Sequence, residues 1–157
     1  MKKEEKTNAV RFLENKKINF EVLRYDSSIV NGLEVANALN ENPNTVFKTL
    51  VTVAKSKINY VFIVPVNKEL DLKKAAKTVN EKSIDMIKSK ELLPLTGYIH
   101  GGCSPIGMKK LFKTVIDISA KPLEIFYVSA GKTGMQLKIS PNDLLKTVPF
   151  TFADIVK

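Results

Sequence analysis

Two apolar runs, Val46 to Ala54 and Asn59 to Val66, are separated only by the polar stretch Lys55-Ser56-Lys57, and this spacing limits the fold more than any other feature. Both runs are rich in β-branched and aromatic residues, so they read as strands, and so short a link permits antiparallel return but no crossover. The expected unit is therefore a β-hairpin that has to be built into a larger sheet. Shorter strand patterns recur at Phe20 to Tyr25, Ser83 to Ile87, Val115 to Ser119, Glu124 to Ser129 and Met135 to Ile139.

Helical spacing falls between them. Thr7 is a capping residue for a first helix with Val10, Leu13 and Phe12 on its inner stripe, ending near Lys16-Lys17. Leu33 to Leu39 has helical period and stops at Asn42-Pro43-Asn44; Asp71 caps a helix carrying Leu72, Ala75, Ala76 and Val79. Ser89 opens a short helix expected to halt at Pro94, and Ser140-Pro141-Asn142-Asp143 is a strong helix start. The expected class is α+β, with a mixed, largely antiparallel sheet and flanking helices. At 157 residues and 44% hydrophobic composition, one core and a single domain over residues 1–157 are expected.

Composition narrows the setting. The longest apolar run, Tyr60 to Val66, is far too short for a bilayer span, and Lys2, Lys3, Glu4, Glu5 and Lys6 leave no apolar leader. One cysteine cannot form an internal disulfide, which fits a reducing compartment such as the cytoplasm. The formal charge of +9 comes from 23 lysines and two arginines against 16 acids. That balance favours a polyanion, with nucleic acid the leading partner class, while lysine without arginine argues against bidentate reading of bases.

Four of the seven glycines lie in Thr96 to Lys110, around Ser104-Pro105 and ahead of Lys109-Lys110. Amide donors and positive charge converge there, which suits an anionic or carbonyl-bearing ligand; a tight strand connection is the plainer reading. Lys48 shares a strand face with Val46 and Leu50, so it either snorkels to water or points into a pocket. Gly131-Lys132-Thr133 invites a phosphate-loop reading, but Phe126 stands where that pattern needs glycine. His100 and Cys103 are too few for a structural zinc site, and no third group orients them as a nucleophilic pair, so Cys103 is expected to be a small side chain packed in a turn.

Taken together, Phe47-Lys48-Thr49-Leu50, Leu72 to Ala76, Thr96-Gly97-Tyr98, the run Gly101 to Lys110 and Tyr127 to Lys132 resemble the YbaK family of free-standing editing proteins, relatives of the editing domain of bacterial prolyl-tRNA synthetases. The Gly-Gly-x-Ser-Pro-x-Gly-x-Lys-Lys form is similar to its Cys-tRNA(Pro) deacylase branch. The resemblance implies a partly barrel-like sheet. It also implies an aminoacyl-tRNA deacylase that uses neither metal nor cofactor nor protein nucleophile, and that works on tRNA(Pro) charged with cysteine in partnership with prolyl-tRNA synthetase. Lys48 corresponds to the family's essential lysine, Gly101 and Gly102 to the loop facing the aminoacyl group, and Tyr25, Ser104 and Ser129 to substrate-binding positions. Cys103, Thr133 and Gln136 depart from the usual residues. Two alternatives remain: a water-using deacylase for tRNA mischarged with alanine or serine, and a non-catalytic module that binds tRNA or a synthetase.

Overall fold

The computed structural model describes residues 6–157; the charged lead over residues 1–5 lies outside it. The hairpin forms as expected from β2 (Phe47–Ala54) and β3 (Asn59–Pro65), paired antiparallel from Phe47 against Pro65 to Val53 against Asn59. Its turn is closed by the Ala54 N–H donating to the Ile58 carbonyl at 2.9 Å, with Lys57 in the left-handed region at φ 74°. From Tyr60 to Pro65 every residue of β3 is buried, which makes it the central strand.

Around this hairpin a five-stranded sheet is ordered β4-β2-β3-β5-β8, with β4 (Ile84–Met86), β5 (Lys113–Asp117) and β8 (Phe150–Ala153). β4 is antiparallel to β2, while β3, β5 and β8 run parallel to one another, so the sheet is mixed. β8 has no counterpart among the expected strands. It is four residues long and pairs with a strand more than thirty residues earlier, and the buried Asp117 carboxylate accepts the Ile155 N–H at 3.2 Å just beyond it. A separate antiparallel sheet, β1-β7-β6, is built from β1 (Glu21–Arg24), β6 (Phe126–Ser129) and β7 (Met135–Ile139). Among the described residues, the two sheets are linked by one parallel bridge, between Val46 and Tyr127. The α+β class with a mixed sheet is borne out, while the partly barrel-like expectation finds no support in two ladders joined at one bridge.

Alternation along β2 serves two cores. Phe47 and Val51 face the space between the sheets, where Phe47 meets Phe126 edge to face at 5.4 Å and α1 (Asn8–Asn15) inserts Ala9, Val10 and Leu13. Burying each of these rings contributes about 1.5–3 kcal/mol. Leu50 and Ala54 face the other way, beneath Ala75, Ala76 and Val79 of the helical region begun by α3 (Leu72–Thr78). Thr7, Asp71 and Ser140 cap α1, α3 and α5 (Pro141–Leu145) as expected, and α2 (Gly32–Ala38) is capped by Asn31. The fourth helix, α4 (Ser89–Thr96), runs through Pro94 rather than stopping there. A proline forfeits only its own N–H bond, and Pro94 lies exposed; the actual stop is Gly97 at φ 86°, whose N–H donates to the Leu93 carbonyl at 2.9 Å.

Candidate active site

Beside the Val46–Tyr127 bridge lies a cavity of about 360 Å³, lined by residues from both sheets. The first half of β2 forms one wall, the ends of β1 and β6 with Gln136 of β7 form the second, and α4 with the loop at 100–103 forms the third. In β2 the even-numbered residues bond to β3, because the Val66 N–H donates to the Val46 carbonyl at 2.8 Å and the register is strict from there. Odd residues therefore turn their backbone groups to the opposite edge. That edge is covered at its start by the Val46–Tyr127 bridge and again from Val51 onward, where the Ile87 N–H reaches the Val51 carbonyl at 3.4 Å. Thr49 thus presents its backbone along an open strand edge where its side chain also lines the cavity.

Lys48 lines the cavity and is half-buried, with Val46 and Leu50 beside it on the strand. Burial pulls its pKa below the ordinary lysine value, and the negative charge of Glu69 opposes that shift. The pocket reading of this lysine is the one the geometry supports. Tyr25, Ser129 and Gly101 line the same cavity, so three further expected positions converge on it. Ser129 Oγ accepts the Gly131 N–H at 3.1 Å, which shapes the turn after β6.

Gly101 takes φ 83°, a conformation that costs a residue with a Cβ about 1–2 kcal/mol. Gly102 and Ser104 are placed differently from the remaining expected residues. Neither is among the cavity's lining; the Gly102 N–H is held by the Ile99 carbonyl at 3.0 Å, and a Cβ on Gly102 would come within 3.1 Å of the Lys132 backbone. Gly102 is thus where the 100–103 loop packs onto the Gly131–Gly134 turn. Ser104 is fully buried and its Oγ accepts the Ile106 N–H at 3.3 Å, so it shapes the loop from behind. Thr133 takes part in the same contact, with its methyl 3.4 Å from the position of a Cβ on Gly101.

Two oxygens in the cavity wall were not anticipated as a pair. Thr49 Oγ1 and Gln136 Oε1 are buried and without a hydrogen-bond partner, and both residues line the cavity. A buried polar atom left unpaired costs about 1–3 kcal/mol, so these two oxygens, closed off from the open space of the cavity, are a local cost in its wall. From sequence, Thr49 is an ordinary threonine on the core side of a strand, and only the tertiary structure places it in the cavity wall. Cys103 also lines the cavity, but burial pushes its thiol up to about 12, so it is held as the thiol. Cys103→Ala is expected to keep most of the activity; loss of turnover with an unchanged melting temperature would make Cys103 a participant instead.

Against known proteins, residues 28–147 match the model of the aminoacyl-tRNA editing domain family. The chain is 40% identical over 156 residues, covering 98% of itself and 95% of its relative, to an Enterococcus faecalis protein provisionally named Cys-tRNA(Pro)/Cys-tRNA(Cys) deacylase EbsC. Its fold is shared with a solved structure titled as a trans-editing enzyme for prolyl tRNA synthetase, at TM-score 0.86 and 23% identity, covering 96% of this chain and 95% of that one. The hypothetical protein APE2540 matches at TM-score 0.88 and 19% identity, covering 96% and 100%. The chain belongs to the aminoacyl-tRNA editing domain family, in its YbaK-type branch. As an enzyme it is an aminoacyl-tRNA deacylase. Among the described residues, no helix is long and apolar enough to cross a membrane.

Proposed function

We propose that the protein, as a single editing domain over residues 1–157, removes cysteine from wrongly charged tRNA(Pro), and from Cys-tRNA(Cys) if that ester reaches it. The observation carrying this reading is the convergence of the half-buried Lys48, the Gly101 loop, Tyr25 and Ser129 on one small cavity. Cysteine is compact enough for such a space, and its ammonium and thiol both donate hydrogen bonds.

An aminoacyl ester is already activated, so orientation and charge stabilisation suffice to speed its loss. In the proposed reaction the thiol sulfur of the substrate attacks its own carbonyl carbon. A carbon–sulfur bond forms, the carbon–oxygen bond to the ribose breaks, and the thiol proton passes to the departing ribose oxygen. The products are a cyclic thiolactone, later opened by water, and free tRNA. Lys48 holds the 3′ end and the developing negative charge; Tyr25, Ser129 and Gly101 hold the aminoacyl group. Gly102 and Ser104 act indirectly, by fixing the loop. The protein works in the cytoplasm alongside prolyl-tRNA synthetase, needs no metal or cofactor, and takes selectivity from the substrate's thiol.

A panel of tRNAs carrying cysteine, alanine, serine or proline tests this. Cysteine should be released and the other three retained. Equal release of alanine or serine would assign the attack to water and remove the thiol from the mechanism, and release of none would leave a binding module.

A further inference from the structure

Outside the cavity, three lysines gather at a groove of about 520 Å³ between α3 and the segment leading into β4. Lys73, Lys77 and Lys82 line it, all exposed, with Leu72, Ala76 and Ile84 forming its apolar floor. Elsewhere on the described surface, Lys6, Lys74, Lys146 and Lys157 sit within 3.3 Å of a carboxylate. Neither an ion pair nor a side-chain hydrogen bond among the described residues engages the groove's three lysines. Glu81, the one acid in the lining, is turned to the protein, where its carboxylate accepts from the Tyr60 hydroxyl and from Ser56 Oγ at 2.8 Å.

The groove and the active-site cavity are separate, but β4 reaches both. Ile84 lines the groove and Met86 lines the cavity, two residues apart on β4, a separation of about 7 Å. Ile84 pairs with Ala54 and Met86 with Thr52, and paired residues share a sheet face. Lys48 and Leu50 continue that face along β2, so the three groove lysines lie on the side of the sheet that carries Lys48. Lys73 and Lys77 stand four residues apart on α3, which brings their stems about 5–6 Å from each other, close enough to meet neighbouring phosphates of one strand. Lysine is a mobile point charge that neutralises phosphate without reading bases.

We propose that this groove binds the phosphate backbone of the RNA whose 3′ end occupies the cavity. The proposal rests on the deacylase reading for the orientation of the RNA, and on the groove itself for the contact. The lysines hold the double-helical stem while β4 leads the single-stranded end toward Lys48. A protein segment rich in acids is the other polyanion that could meet such a surface; the position of the groove on the sheet face that carries Lys48, with β4 reaching both, favours RNA.

The test compares wild type with Lys73→Gln/Lys77→Gln/Lys82→Gln, and with a control of equal charge loss, Lys113→Gln/Lys121→Gln/Lys138→Gln. The probe is an uncharged hairpin RNA with an acceptor-like stem and a free 3′ end, titrated over a salt series. The groove variant should lose at least about tenfold in affinity, and its slope of log affinity against log salt should become shallower by about 2–3, in line with three lost phosphate contacts. Deacylation by the groove variant should show a raised KM with kcat little changed. Binding and slope no weaker than in the control variant overturn the proposal, as does wild type that fails to bind the hairpin. If groove-dependent binding is present but no mischarged tRNA is deacylated, the functional reading fails and the RNA surface stands.

Discussion

Lys48→Ala should lower kcat/KM for deacylation by about 10²–10³-fold, the scale seen when a single preorganised stabiliser of a developing oxyanion is removed. Its melting temperature should not fall. The ammonium is half-buried in an apolar strand face, and burial already disfavours its charge, so removing it relieves a cost of folding. Parallel measurement of turnover and thermal unfolding checks both halves. An alanine variant that is as active as wild type, with the fold intact, would remove Lys48 from the machinery.

The same depressed pKa fixes the direction of two pH effects. Between the folded-state pKa of Lys48 and the ordinary value of 10.5, the unfolded chain binds more protons than the native one. Stability contributed by this group therefore rises with pH across that window. Activity should move the opposite way, because the ammonium is the working form: the alkaline limb of the rate profile should fall below 10.5. A profile flat up to that value would contradict a charged Lys48 at the reacting carbonyl.

Gly131→Ala should be the most damaging single-methyl change near the site. Gly131 has φ 101°, and a Cβ built there would lie 2.7 Å from Cε1 of Tyr98. Left-handed backbone costs about 1–2 kcal/mol for an alanine, and overpacking against a fixed ring about 1–3 kcal/mol. Tyr98 cannot yield easily, since it is buried and its hydroxyl donates to the Ile106 carbonyl inside the glycine loop. A fall in melting temperature of about 5–15 °C follows for a chain of this size. Turnover measured well below the transition should also drop, because moving Tyr98 moves the loop that carries Gly101. A variant with unaltered stability and rate would show that the turn relaxes freely and is not coupled to the site.

Local signals were enough where the deciding interactions are local. The β2–β3 hairpin, the caps at Thr7, Asp71 and Ser140, and the strand at Met135–Ile139 follow from period, turn residues and hydrogen bonds within a few positions. Pro94 misled because a proline's cost depends on whether its missing bond and its ring face solvent, which one sequence cannot disclose. β8 escaped notice because a four-residue edge strand has little pattern of its own and exists through parallel pairing with β5.

At the active site the division is similar. Residue identities at Lys48, Gly101, Tyr25 and Ser129, together with the family motifs, belong to the sequence, because motif spacing is a property of the chain. Which of the motif residues reach the cavity was decided in three dimensions. The packing of strands from both sheets beside the Val46–Tyr127 bridge formed the space, sealed the Thr49 and Gln136 oxygens in its wall without partners, and put Gly102 and Ser104 behind it. Such placements depend on contacts between segments far apart in the chain, and no local propensity encodes them.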